Sequence, residues 1–312
     1  MKIPLPTLNF LLRNVEKPHL RRATDVVRLR RRFGCQARLL FSNPAGATYR
    51  KDRLPGGDGD IDALWATGRG AKRDGVLLYL HGGAYVMGSP DTHRAMLARL
   101  SEMTGFPALL PDYRMAPENP FPAGLEDVFA AYEALISTGT APGRIILGGD
   151  SAGGGLMLAL LHRICARDLP RPDAVFAFSP WVDLTLRGGT LKSNAAADPL
   201  LPVVRTVTSR DMYLNGADPA DPAASPLFGE FSGAPPVLIQ VGDCEILLDD
   251  SRRMAVTLTD QGVDVRLKIH PLVPHVWQIF QGRLAEADAA LRDVADFLDE
   301  VLDPATGVPS AR

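Results

Sequence analysis

A chain of 312 residues, 46% hydrophobic and 22% charged, is ordinary globular material, long enough to bury a large core as one big domain or two smaller ones. Its 34 basic and 36 acidic residues leave a formal charge of -2, so no global field draws it to nucleic acid or to anionic membranes. The three cysteines, Cys35, Cys165 and Cys244, are an odd number, far apart and without C-x-x-C spacing, which argues against a disulfide framework or a zinc site and fits a reducing, cytoplasmic setting.

The N-terminus, Met1-Lys2-Ile3-Pro4-Leu5-Pro6, has two early prolines, and its apolar stretch is broken by Asn9 and Arg13, so it lacks the apolar centre of a signal peptide. No window approaches the roughly 18 uninterrupted apolar residues of a membrane span, and no stable membrane insertion is expected. Leu8, Leu11, Leu12 and Val15 recur at i, i+3, i+4 and i+7, the spacing of a short amphipathic helix that packs on the body or forms part of a lid. The stretch from Arg21 to Arg32, rich in arginine, reads as a solvated helix face. Short strand candidates follow near Ala37 to Phe41 and Ile61 to Trp65.

A clear alternation then begins. Val76 to Leu80, Ala108 to Leu110, Arg144 to Leu147, Ala174 to Phe178, Pro236 to Val241 and Val265 to Ile269 read as strands. Met96 to Met103, Leu125 to Ile136, Ala152 to Ala166, Ser251 to Asp260 and Leu284 to Leu302 read as helices with apolar stripes. Parallel strands need crossovers, so this order predicts an α/β chain with a mostly parallel central sheet and helices on both faces. Leu184 to Gly229 breaks the rhythm with a long, proline- and alanine-rich excursion whose middle reads as a second lid element. The expected division is a helical cap region over 1–50, a body over 51–312 and a second cap segment near 190–216, with Pro304 to Arg312 a frayed tail.

Gly148-Gly149-Asp150-Ser151-Ala152-Gly153-Gly154-Gly155 sets one serine between glycines directly after the Arg144 to Leu147 run. Gly149-x-Ser151-x-Gly153 lets the backbone turn sharply from strand to helix and expose a strained serine, the geometry of a nucleophile elbow. Side chains two positions either side of Ser151 are expected to collide with neighbouring strands. A glycine-rich helix start with an N-cap serine shares the pattern, and it is set aside because other segments offer the partners a nucleophile needs.

His81-Gly82-Gly83-Ala84-Tyr85 follows the strand Val76 to Leu80. The N–H groups of Gly82 and Gly83, joined by that of Ala152, can converge as an oxyanion hole, while His81 reads as a brace for the loop. Six histidines are candidate bases: His19, His81, His93, His162, His270 and His275. On sheets with such an elbow the acid and then the histidine follow the serine in chain order, which leaves His270 and His275. His275 is favoured, because the loop from Pro271 to Trp277 can swing an imidazole over the sheet edge and a strand position cannot. The acid should follow the strand Pro236 to Val241, where Asp243, Glu245, Asp249 and Asp250 stand. Asp249 and Asp250 read as N-terminal caps of the next helix, and spacing does not separate Asp243 from Glu245.

Together, His81-Gly82-Gly83-Ala84, Asp112-Tyr113-Arg114-Met115-Ala116-Pro117-Glu118, Gly149-Asp150-Ser151-Ala152-Gly153 and Ser179-Pro180-Trp181-Val182-Asp183 resemble the bacterial hormone-sensitive lipase family of carboxylesterases, from about Val76 to Trp277. The resemblance implies an α/β-hydrolase fold, a helical cap made partly from the N-terminus, a small-molecule ester substrate with a short- to medium-chain acyl group, and no cofactor or metal. The family's acid stands in D-P-L-x-D, and Glu245-Ile246-Leu247-Leu248-Asp249 falls in that register, which points to Glu245 with Asp243 as the alternative. By the same resemblance Tyr113 to Glu118 braces the site. Tyr85, Asp150 and Trp277, which adjoin these motifs, are expected in the substrate pocket. Ser151 would then attack the ester, His275 would shuttle its proton and Glu245 would hold the imidazole.

Other readings fail or stay open. Gly154-Gly155 stands where a P-loop needs Lys and Ser or Thr. Asp58-Gly59-Asp60-Ile61-Asp62 is no calcium loop, since Ala63 and Arg69 occupy the glycine and glutamate positions. A small-molecule receptor on the same fold, resembling plant gibberellin receptors, would lack the catalytic histidine. A lactone or amide hydrolase would use the same groups. A homodimer paired through an edge strand is an assembly compatible with this sequence.

Overall fold

The computed structural model describes residues 2–57 and 59–302, so Asp58 of the rejected calcium pattern and the expected frayed tail lie outside the described residues. One sheet runs through it, formed by β1 (Thr48–Leu54), β2 (Ile61–Thr67), β3 (Val76–Leu80), β4 (Ala108–Pro111), β5 (Ile145–Asp150), β6 (Ala174–Phe178), β7 (Val237–Gly242) and β8 (Val265–His270). The spatial order is β1-β2-β4-β3-β5-β6-β7-β8. β2 pairs antiparallel with β1 and β4, and every neighbour from β4 to β8 pairs parallel.

Successive side chains on a strand face opposite ways, so a continuous apolar run feeds two cores at once. Leu78, Leu80, Leu147, Val175, Ala177 and Ile239 enter one core, and Leu77, Tyr79, Ile146, Phe176, Phe178 and Leu238 enter the other. The helices in chain order are α1 (Leu5–Leu11), α2 (Lys17–Arg22), α3 (Val26–Leu40), α4 (Pro90–Thr104), α5 (Ala123–Ser137), α6 (Ser151–Ala166), α7 (Thr190–Ser193), α8 (Val203–Leu214), α9 (Leu248–Asp260) and α10 (Ala285–Leu302). Side chains of α5, α6 and α9 fill the first core, and those of α4 and α10 fill the second. That two-sided cover is why β3, β5, β6 and β7 carry no solvent face and read as unbroken apolar runs.

Three stretches depart from the sequence expectation. Ala37 to Phe41 closes α3 rather than forming a strand: the side chain of Asp25 accepts from Arg28 N at 3.0 Å and starts a helix that good helix formers carry through. β1 went unrecognised because Thr48–Leu54 is an edge strand whose charged residues face water, without the alternation that marks a half-buried strand. The α1 stripe buries Leu8 but leaves Leu11 exposed within α1 itself, and Val15 stands exposed in a π turn over Leu12–Glu16, which inserts a residue and rotates the later part of the stripe.

The arginine-rich face is also less solvated than its composition suggests. Arg30 donates from Nε to Val86 O at 2.7 Å and from Nη2 to Ala116 O at 2.8 Å, and it pairs with Glu118 at 2.7 Å. Arg32 pairs with Glu16 at 2.8 Å, whereas Arg28, Arg31 and Arg38 are exposed. The N-terminal helices also reach the excursion that follows β6. Arg13 donates to Ala197 O at 2.7 Å, Lys17 to Ala195 O at 2.8 Å, and Arg205 of α8 to Leu20 O at 3.2 Å. Among the described residues no helix is long and apolar enough to cross a membrane.

Candidate active site

β5 lies in the interior of the sheet, and the chain reverses at its end directly into α6. Ser151 takes the left-handed φ of 52° there, strain of the order of 1–3 kcal/mol that only a well-packed turn sustains. Gly153 must lack a side chain because a Cβ would stand 2.2 Å from Leu80 O at the end of β3. At Gly149 the obstacle is Gly153 O at 2.6 Å, in the first turn of α6 itself rather than in a neighbouring strand.

Two loops from the far side of the sheet bring groups to this serine. His275 Nε2 lies 2.8 Å from Ser151 Oγ and accepts from the hydroxyl. On the other side of the ring, Nδ1–H donates to Glu245 Oε2 at 2.6 Å. The second carboxylate oxygen, Oε1, accepts from Gly242 N at 2.6 Å and from Ser179 Oγ at 2.7 Å, so a carboxylate with no solvent exposure has partners on both oxygens. Asp243, the alternative acid, instead accepts from Leu272 N at 2.8 Å and braces the loop that carries the histidine. His270 ends β8 against the Trp277 ring, 4.9 Å between centroids, away from the serine.

Burial works against charge on the His275 ring, but the Glu245 carboxylate and its hydrogen bond outweigh it, so the imidazole pKa is raised above the ordinary value. His81 goes the other way. Burial lowers it to about 3, which keeps it neutral. Its Nδ1 donates to Gly82 O at 2.9 Å, its ring stacks on Tyr113 at 4.4 Å, and the Tyr113 hydroxyl donates to His81 O at 2.6 Å.

Several sequence expectations need correction. Gly82 N–H is already committed, donating to Asp150 Oδ1 at 3.0 Å, so it is not free to meet an oxyanion. The next two N–H groups of the loop, those of Gly83 and Ala84, have no protein acceptor among the described residues, and Ala84 is held at φ 54°. Ala152 N–H joins them, since the first turn of a helix has no intrahelical acceptor for it. Asp150 does not line a pocket. It is buried, and Oδ1 also accepts from the Tyr79 hydroxyl at 2.8 Å. Trp277 is buried with Leu8 and Leu284 and donates to Glu286 O at 3.1 Å, so it is a joint between the N-terminal helix and the body. Tyr85 is likewise a packing residue, stacked on Tyr213 at 3.8 Å. Asp249 and Asp250 lie in the first turn of α9 but cap other segments: Asp250 accepts from Val182 N and Asp183 N, each at 3.0 Å, and Asp249 accepts from Thr190 N at 3.0 Å. Ser179 and Asn194 escaped notice. Ser179 sits in a quoted motif without a role assigned there, and nothing local marks Asn194, whose partners lie some fifty residues away.

The sequence pattern of the alpha/beta hydrolase fold family matches residues 77–279. A crystal structure of an esterase from the bacterial hormone-sensitive lipase family superposes with a TM-score of 0.88 at 37% identity, covering 97% of this chain and 100% of that one. The chain belongs to this esterase family. Among curated relatives, an acetyl-hydrolase of Streptomyces hygroscopicus is 40% identical over 250 residues, 78% of this chain and 83% of its own length. An esterase of Acinetobacter venetianus is 38% identical over 223 residues, 71% of this chain and 74% of its own. This member of the hormone-sensitive lipase family is accordingly a carboxylic ester hydrolase acting on small-molecule esters.

Two measurements check the site. His275 should titrate above about 6.5 in a histidine NMR pH series, and Glu245→Gln, which removes the negative charge favouring imidazolium, should move it down. A pKa unchanged by that substitution would mean that the carboxylate does not set it. Trp277→Ala should cost about 3–5 kcal/mol in urea unfolding while the folded enzyme keeps its KM for p-nitrophenyl acetate, because the indole is core and not pocket.

Proposed function

We propose that Ser151 is the nucleophile, His275 the general base and acid, and Glu245 the orienting acid of a serine esterase, with Gly83, Ala84 and Ala152 N–H groups as its oxyanion hole. The unbroken line from Glu245 Oε2 through the imidazole to Ser151 Oγ, with contacts of 2.6 and 2.8 Å, carries this reading. Ser151 Oγ bonds to the ester carbonyl carbon as its proton passes to His275 Nε2. The resulting oxyanion takes the three N–H groups, preorganised donors that cost no rearrangement when charge develops. Collapse breaks the bond to the alkoxy group, which leaves as an alcohol with the Nε2 proton. Water then attacks the acyl-enzyme, gives its proton to Nε2, and a second collapse returns that proton to Ser151 and frees the acid. Glu245 stays ionised throughout, holding the Nδ1–H tautomer and stabilising the imidazolium.

The acyl group is short to medium in length. Ser151 is only 8% exposed and His275 5%, which leaves little open room around the nucleophile, and the Streptomyces relative is named an acetyl-hydrolase. In this reading residues 1–50 and the segment near 190–216 form a cap on a catalytic domain over 51–312. Direct bonds from Arg13 and Lys17 to the excursion support a single joined cap. Free Cys35, Cys165 and Cys244 support a reducing, cytoplasmic setting. The receptor alternative is disfavoured by the imidazole beside Ser151, which a binder has no need to keep.

Steady-state rates on p-nitrophenyl esters test the assignment. Ser151→Ala and His275→Ala should each lose on the order of 10⁴-fold in kcat, because such groups act as a unit, while His270→Ala keeps most of it. Equal losses at the two histidines would assign the base wrongly. In an acyl-length series acetyl and butyryl esters should turn over fastest. A maximum at palmitoyl would overturn the short-acyl reading.

A further inference from the structure

The turn that carries Glu245 is held from outside the sheet by the excursion between β6 and β7. Asn194 Nδ2 donates to Asp243 O at 3.0 Å and to Glu245 O at 2.9 Å, gripping the turn at two carbonyls. Asp198, with no solvent exposure, takes the next group along: its Oδ2 accepts from Ile246 N at 2.9 Å. Its Oδ1 accepts from Leu200 N and Leu201 N, both at 2.8 Å, which fixes the carboxylate within the excursion. Thr190 Oγ1 donates to Ile246 O at 2.9 Å and accepts from Asp249 N at 3.0 Å. The carbonyls of residues 243, 245 and 246 and the N–H of 246 are thus all bonded to one segment far away in sequence. That segment is in turn held by the N-terminal helices, since buried Lys17 donates to Ala195 O at 2.8 Å and to Asp198 O at 2.5 Å.

Such a grip matters for a glutamate. It reaches the imidazole through one more methylene than an aspartate would, and that added rotatable bond gives the carboxylate more ways to leave the imidazole once the backbone of the turn shifts. Displacement of a catalytic group by about 1 Å can cost on the order of 10²-fold in rate. We infer that Asn194 is a positioning residue for the triad acid, with Asp198 as its second anchor, so that seating the excursion and aligning Glu245 on His275 are one event. The inference rests on the triad reading above.

A double-mutant cycle on p-nitrophenyl acetate hydrolysis tests it. Asn194→Ala should lower kcat by about 10- to 100-fold with KM within about twofold, because the lost alignment acts in the transition state and not in binding. Asn194→Asp should lose at least as much, since its carboxylate would face two carbonyl oxygens. In a Glu245→Gln background, itself down on the order of 10³- to 10⁴-fold, Asn194→Ala should cost less than about twofold more. An equal further loss in that background, or wild-type kcat in both Asn194 variants, overturns the inference while leaving the triad standing. Wild-type kcat in Glu245→Gln alone sinks the triad reading and the inference with it. Circular dichroism melts monitor folding, and should Asn194→Ala be unfolded, Asp198→Asn runs the same cycle from the other anchor with the same expected non-additivity.

Discussion

The reversal between β5 and α6 is the constraint on which the rest of the site is built. A strand inside a parallel sheet ends beside its neighbours, and here the chain must turn straight into a helix that packs beneath them. Ser151 takes the strain with its left-handed φ of 52°. The close approach of Leu80 O removes any room for a Cβ at 153, which draws the end of β3 and the loop after it against the turn. Asp150, one residue earlier, then anchors that loop through Gly82 N–H. One reversal therefore sets Ser151 and the start of the loop after β3, and it frees the N–H groups at the head of α6.

Charge burial is the second constraint, and it explains why the network is so extensive. A carboxylate taken out of water costs several kcal/mol unless both oxygens find donors, and Glu245 finds Gly242 N, Ser179 Oγ and the His275 ring. The same pairing pulls the imidazole pKa up against the burial that would lower it. His81, buried without a carboxylate partner at hydrogen-bond distance, is depressed to about 3 and serves as a stacked, neutral brace. Two buried histidines thus hold opposite properties because of what faces their ring nitrogens.

Much of this was legible residue by residue. Apolar runs such as Val76–Leu80 and Ala174–Phe178 announce strands buried on both faces, and these two lie where the reading put them, because continuous apolarity has few other uses at that length. Ser151 stands out by its glycines and His275 by its place after the last strand. Where local signals gave out, the reading gave out with them. Thr48–Leu54 is strand only because β2 is there to pair with it, and Ala37 to Phe41 is helix because a cap a dozen residues earlier started one.

Composition, apolar spacing and the glycine-flanked serine determined by themselves the α/β class, the alternation of strands and helices from Val76 onward and the short list of reacting groups, because each is a property of neighbouring residues. Other matters were decided by tertiary structure alone. Glu245 rather than Asp243 stands beside the imidazole because Gly242 N and Ser179 turn its carboxylate inward, while Asp243 is taken by Leu272 N. Ala84 rather than Gly82 offers a free donor because Asp150 has already claimed the Gly82 N–H. Hydrogen-bonding groups are assigned by competition among partners distant in the chain, and that competition is settled only once the chain has folded.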